Sequence, residues 1–87
     1  MRKSATTPET ELDHASAAWE TKAKNLLRGE LRRRGITYKM LAVLLREVGL
    51  QESDRNISNK IGRGSFTAVF LLQCLHVIGA NQILLTD

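Results

Sequence analysis

Apolar residues recur at helical spacing in four separate stretches of this chain, and polar punctuation separates them. Over residues 16–34, Trp19, Ala23, Leu26, Leu27 and Leu31 fall on one stripe, while Lys22, Arg28, Arg32 and Arg33 lie off it. The stripe predicts a helix with Trp19 as a core anchor, stopped at Gly35 after a basic last turn. Thr37 is a suitable N-cap for a second helix over 38–48, with Leu41, Ala42, Leu44, Leu45 and Val48 inward and Gly49 at its end. A loop, Leu50-Gln51-Glu52-Ser53, then leads to a third helix over 54–62, capped by Ser53 or Asp54. Its apolar residues, Ile57 and Ile61, are four apart and share one face. Gly64 ends it, and Ser65 is the expected cap of a fourth helix over 66–79. There Phe66, Phe70, Cys74, Val77 and Ile78 point to the core. Val69, Leu72, Gln73 and His76 share the other side, which is more apolar than a solvent face should be.

The ends carry weaker patterns. Residues 1–15 read as a largely disordered tail before a single domain over 16–87, although Thr7-Pro8-Glu9 has the cap, proline and acid that start a helix. Ile83-Leu84-Leu85 reads as a short edge strand or a packing segment. The expected fold is therefore all-α, with four to five short helices. At 87 residues there is room for one core only.

Charge sharpens the picture. Residues 19–64 hold eleven Lys and Arg against five acids, a net of +6, whereas 1–18 and 65–87 each sum to −1, which gives the overall +4. The basic charge thus sits in the central helices, as suits a polyanion surface. The single cysteine, Cys74, allows no internal disulfide, and His14 and His76 are too far apart for zinc-ligand spacing. No metal, cofactor or small-molecule ligand is expected. The acids and histidines lack recurrent catalytic spacing, so no enzymatic activity is expected either. Gly62-Arg63-Gly64 lacks the lysine, spacing and preceding strand of a phosphate loop. The N-terminus has no secretory apolar run, and 66–80 is too short and too interrupted to span a bilayer. The expected location is cytoplasmic, without a membrane partner.

The third helix carries the chemistry. Opposite Ile57 and Ile61 stand Arg55, Asn56, Ser58, Asn59 and Lys60, and amide and cationic groups on an anchored helix are those that read base edges and hold phosphates. Arg32-Arg33-Arg34 is a basic helix end with phosphate contact as a second role.

Leu27 to Leu31 before Gly35, Thr37-Tyr38-Lys39-Met40-Leu41-Ala42, Asn59-Lys60-Ile61-Gly62-Arg63-Gly64, and the apolar helix from Phe66 to Ile78 together resemble the lambda-repressor-like helix-turn-helix domain. The likeness covers about residues 24–79. The wording Asn-Lys-Ile-x-Arg-Gly-x-Phe also resembles a small uncharacterised bacterial domain family of this type. The first resemblance implies that Thr37 opens the second helix, that Leu41 and Ala42 pack it on the third, and that Arg63-Gly64 terminates the recognition helix. Two features depart from the pattern. The fifteen residues from Ala42 to Ile57 exceed the family's usual connection, implying a longer second helix or a real loop at 49–53. Gly62 replaces the acid that usually precedes the Arg-Gly pair.

These features imply the DNA-binding domain of a small bacterial or phage-type transcriptional regulator, with double-stranded DNA as partner. Arg55, Asn56 and Asn59 are the candidate base contacts. Tyr38, Lys39, Ser58, Lys60 and Arg63 are the candidate phosphate contacts. A homodimer is expected through Val69, Leu72, His76, Ile83 and Leu85. The competing expectation is a protein-interaction or dimerisation module on the same fold without DNA reading. RNA binding is disfavoured by the near absence of exposed stacking aromatics.

Overall fold

The computed structural model describes residues 9–85, with side chains from Ser16 onward. It is all-α: α1 (Glu9–Arg33), α2 (Tyr38–Leu45) with a 3-10 turn (Arg46–Val48), α3 (Asp54–Arg63) and α4 (Ala68–Val77). There is no strand among the described residues, so Ile83-Leu84-Leu85 is not an edge strand. Ile83 instead packs partly against the core as irregular chain, and Leu84 and Leu85 are exposed. No described helix is long and apolar enough to cross a membrane. Expectations for residues 1–8 lie outside the described residues.

Punctuation in the sequence sets most of the boundaries. Thr37 takes an extended backbone and its hydroxyl accepts the Met40 amide at 3.1 Å, opening α2. Ser53, rather than Asp54, does the same for α3 through the Asn56 amide at 3.1 Å. Gly35 and Gly64 sit in the left-handed region at φ 67° and 72°, as helix-terminating glycines do. The Ile36 amide closes the end of α1 on the Leu31 carbonyl at 2.9 Å.

Two boundaries differ from expectation. α1 begins at Glu9, seven residues before Ser16. α4 starts at Ala68, capped by Thr67 and not by Ser65: the Thr67 hydroxyl accepts the Phe70 amide at 3.0 Å. This later start leaves Phe66 ahead of the helix, half-buried, with its ring 5.9 Å from that of Phe70. Phe70 can then turn fully inward, so the register is set by which aromatic the core accepts.

Leu27 and Leu31 of α1, Leu41, Ala42 and Leu45 of α2, Ile57 and Ile61 of α3, and Phe70, Cys74 and Leu75 of α4 form one core, closed by Ile78 and Ala80. Leu75 was absent from the expected inward set, while Phe66 and Val77 are only partly buried. Trp19 is a plain correction: it is 66% exposed, with the Lys22 ammonium 5.5 Å from its ring. Among the described residues the buried apolar positions of α1 begin at Leu27, about two turns beyond Trp19.

The closest backbone approach joins α1 to the turn after α3. A Cβ on Gly64 would stand 2.1 Å from the Glu20 carbonyl oxygen and 2.7 Å from its carbon, so only glycine fits. Glycine is thus required there twice, for its dihedral and for contact with α1.

Candidate nucleic-acid interface

α3 is the most sharply two-faced element. Ile57 and Ile61 have no exposed surface and pin the helix to the core, each contributing about 1.5–3 kcal/mol of apolar burial. At 100° per residue, Arg55, Asn59 and Arg63 follow at i, i+4 and i+8 on the opposite side, with Asn56 beside them. All four are exposed, and no hydrogen bond or ion pair among the described residues engages their side chains. The candidate base contacts and Arg63 therefore stand together on one face. Ser58 does not share it, lying around the helix and half-buried.

Lys60 has a different environment. Its ammonium meets the Glu52 carboxylate at 2.5 Å and stands 4.9 Å over the Phe70 ring. It clamps the 49–53 connection to α3 and α4 from within the protein, and a phosphate there would compete with Glu52. That pairing also accounts for the long connection. The α-helical part of α2 ends at Leu45, a 3-10 turn carries Arg46–Val48, and Gly49 reverses the chain at φ 80°. The Leu50 amide bonds the Leu45 carbonyl at 3.1 Å, and Glu52 is held by Lys60. The connection is a real loop, fixed at both ends.

At the start of α2, Lys39 is exposed and Tyr38 is half-buried. The Tyr38 hydroxyl accepts a hydrogen bond from Arg28 Nε at 3.2 Å. Another nitrogen of the same guanidinium lies 4.0 Å from where a Cβ on Gly62 would stand. Arg28 therefore brings α1 to the start of α2 and the end of α3. Sequence reasoning placed Arg28 only off the apolar stripe. Its i, i+3 offset from Leu31 on the core-facing side was the available signal.

Other cations are engaged locally. Arg33 and Arg34 both bond the buried carboxylate of Glu30, at i+3 and i+4, leaving Arg32 exposed. Among the candidate dimer residues, Val69, Leu72 and His76 are exposed on α4, whereas Ile83 packs inward and Leu85 lines a groove beside α1.

Cys74 is fully buried on the inner side of α4. Burial pushes its thiol up to about 12, Lys60 opposing and Glu52 reinforcing the shift. Among the described residues no group of three His, Cys, Asp or Glu side chains could hold a metal ion.

The chain is thus a small all-α domain with one anchored helix that displays cations and amides. It belongs to a family described as a domain of unknown function (DUF6471), whose model matches residues 19–83. No curated protein and no solved structure gives a significant match.

Proposed function

We propose that this chain is the DNA-binding domain of a small transcriptional regulator, using α3 in the major groove in the manner of a helix-turn-helix. One observation carries the reading: α3 is fixed by two fully buried isoleucines while Arg55, Asn56 and Asn59 project from it with no hydrogen bond or ion pair to their side chains among the described residues. Arg55 suits guanine and Asn59 suits adenine, each good bidentate pair giving about 1–3 kcal/mol of discrimination. Arg63 and Lys39 are the phosphate contacts whose side chains meet no hydrogen-bond or ion-pair partner among the described residues, and Tyr38 is positioned by Arg28. Lys60 acts first as the internal clamp on Glu52.

The test is fluorescence anisotropy of a labelled duplex at several salt concentrations, followed by selection of sites from a random pool. Wild type should bind with affinity falling steeply in salt. Arg63→Ala should weaken all sequences alike and flatten the slope, whereas Asn59→Ala should relax base preference at one position. Absence of binding at low salt, or an Arg63→Ala variant that binds as well as wild type, overturns the reading.

A second reading, a protein-interaction module without DNA affinity, draws on Val69 and Leu72, each 64% exposed on α4. It predicts a partner lost on Leu72→Asp and unaffected by Arg63→Ala.

A further inference from the structure

Arg28 sits half-buried where α1 meets the start of α2 and the end of α3. A guanidinium carries five N–H donors, and here the one on Nε is engaged by the Tyr38 hydroxyl at 3.2 Å. No ion pair and no other hydrogen bond engages the Arg28 side chain among the described residues. Arg33 and Arg34 of the same helix share Glu30, and Lys60 has Glu52. Arg28 has given up part of its hydration without gaining a counter-ion, an arrangement that favours an anion from outside.

Tyr38 adds a directed donor. Its oxygen accepts from Arg28, so its own proton is turned away from the guanidinium, and that proton meets no acceptor among the described residues. A hydroxyl that accepts from a cation is polarised and gives a stronger hydrogen bond in turn. The pair thus presents guanidinium N–H groups and one O–H, all donors. Phosphate oxygens match such a set, because the planar fork of arginine can meet two of them at once.

Gly62 places this pair beside the outward face of α3. It follows Asn59 by three residues and Arg55 by seven, so it lies on their side of the helix. A Cβ there would stand 4.0 Å from a terminal nitrogen of Arg28 and would meet nothing else within that distance. Gly62 is exposed and has no positive φ, and glycine is less favourable than alanine inside a helix. Its backbone does not call for glycine. What the missing side chain leaves is room beside the guanidinium, at the edge of the face that carries Arg55 and Asn59.

We infer that Arg28 and Tyr38 together hold one backbone phosphate of the duplex, with Arg28 a direct phosphate ligand and Gly62 the gap through which the phosphate oxygens reach it. The inference rests on the DNA-binding reading and gives α1 a part in it. Inorganic phosphate offers the same oxygens, but the position of the pair beside Arg55 and Asn59 fits a strand lying along α3.

The test is fluorescence anisotropy of the full chain on a labelled random-sequence duplex across a salt series, with wild-type helicity of each variant checked by circular dichroism. Arg28→Gln should weaken binding roughly tenfold at low salt and flatten the slope of log affinity against log salt by about 0.9, the share of one phosphate. Arg28→Lys should restore the slope without the full affinity, since it keeps the charge and loses the fork. Tyr38→Phe should weaken binding several-fold with the slope unchanged, because it removes a hydroxyl and no charge. The double variant Arg28→Gln/Tyr38→Phe should lose less than the two single losses combined, as expected for groups that meet the same phosphate. If Arg28→Gln binds with wild-type affinity and slope while Arg63→Ala still weakens binding, this inference fails and the DNA-binding reading stands. Equal slopes for Arg28→Gln and Arg28→Lys, or a Tyr38→Phe variant that binds as wild type, overturn it in the same way. Displacement of the duplex by millimolar inorganic phosphate at matched ionic strength would give the pair to the free ion instead. A wild type that binds no duplex at low salt overturns both readings.

Discussion

α3 and α4 are both ten residues long and neighbours in the chain, yet they are built on opposite plans. α3 has two fully buried isoleucines, and the rest of its surface is amide, hydroxyl, charge or glycine. α4 buries Phe70, Cys74 and Leu75 and still leaves Val69 and Leu72 exposed. The difference teaches where each gets its position. α4 is held by apolar area on much of its circumference, so single contacts matter less to where it lies. α3 is held at two points and by its ends: the Ser53 cap, the Lys60–Glu52 pair and the Gly64 turn against Glu20. A helix fixed in that way keeps its outward face free for other chemistry.

The largest expected effect comes from breaking the end that α3 shares with α1. Gly64→Ala combines a left-handed backbone, costing about 1–2 kcal/mol for an L-residue, with a collision against the Glu20 backbone that no rotamer relieves. Urea denaturation should show a loss of several kcal/mol, a large part of the roughly 5–15 kcal/mol available to a small domain. Stability within 1 kcal/mol of wild type, on the scale of an ordinary surface change, would mean that the α1–α3 joint is not where this close approach puts it.

Next come the two faces. Ile61→Ala should lose about 2–5 kcal/mol, because it deletes one of only two apolar anchors of α3. Leu72→Ala on α4 should stay within about 0.5 kcal/mol, its side chain being mostly in water already. Equal losses would erase the contrast between an anchored and an embedded helix.

The smallest effect sharpens the account of α4. With its thiol raised to about 12 from an ordinary 9.0, Cys74 keeps its proton in the folded state where the unfolded chain loses it. The folded state therefore binds more protons between those values, and this contribution to stability declines as pH rises from about 9 towards 12. Melting temperatures of wild type and Cys74→Ala should converge across that window. At pH 8 the native thiol should resist iodoacetamide and react once urea unfolds the chain. Fast native alkylation would place Cys74 at the surface.

Much of this was legible in the residues. Thr37, Ser53 and the glycines at 35, 49 and 64 mark boundaries because capping and positive φ are local properties, decided within a few residues. Ile57 and Ile61 were legible as an inward pair because nothing else apolar competes on that helix. The start of α4 was not, since Ser65 and Thr67 are both good caps and only the fit of Phe70 into the core separates them. The candidate base contacts came together on one face by periodicity alone. The partners of the cations did not, because Lys60 meets Glu52 across a loop and Arg28 meets Tyr38 across a helix junction.

By itself, then, the sequence determined the all-α class, the order of helices and the polar face of α3, all consequences of spacing along one helix. Tertiary structure decided which apolar residues the core has room for, excluding Trp19 and admitting Leu75. It also decided that Gly64 meets the backbone of α1, and which charges are neutralised inside the molecule and which face outward. Those outcomes depend on distances between segments far apart in the chain, and helical periodicity carries no information about them.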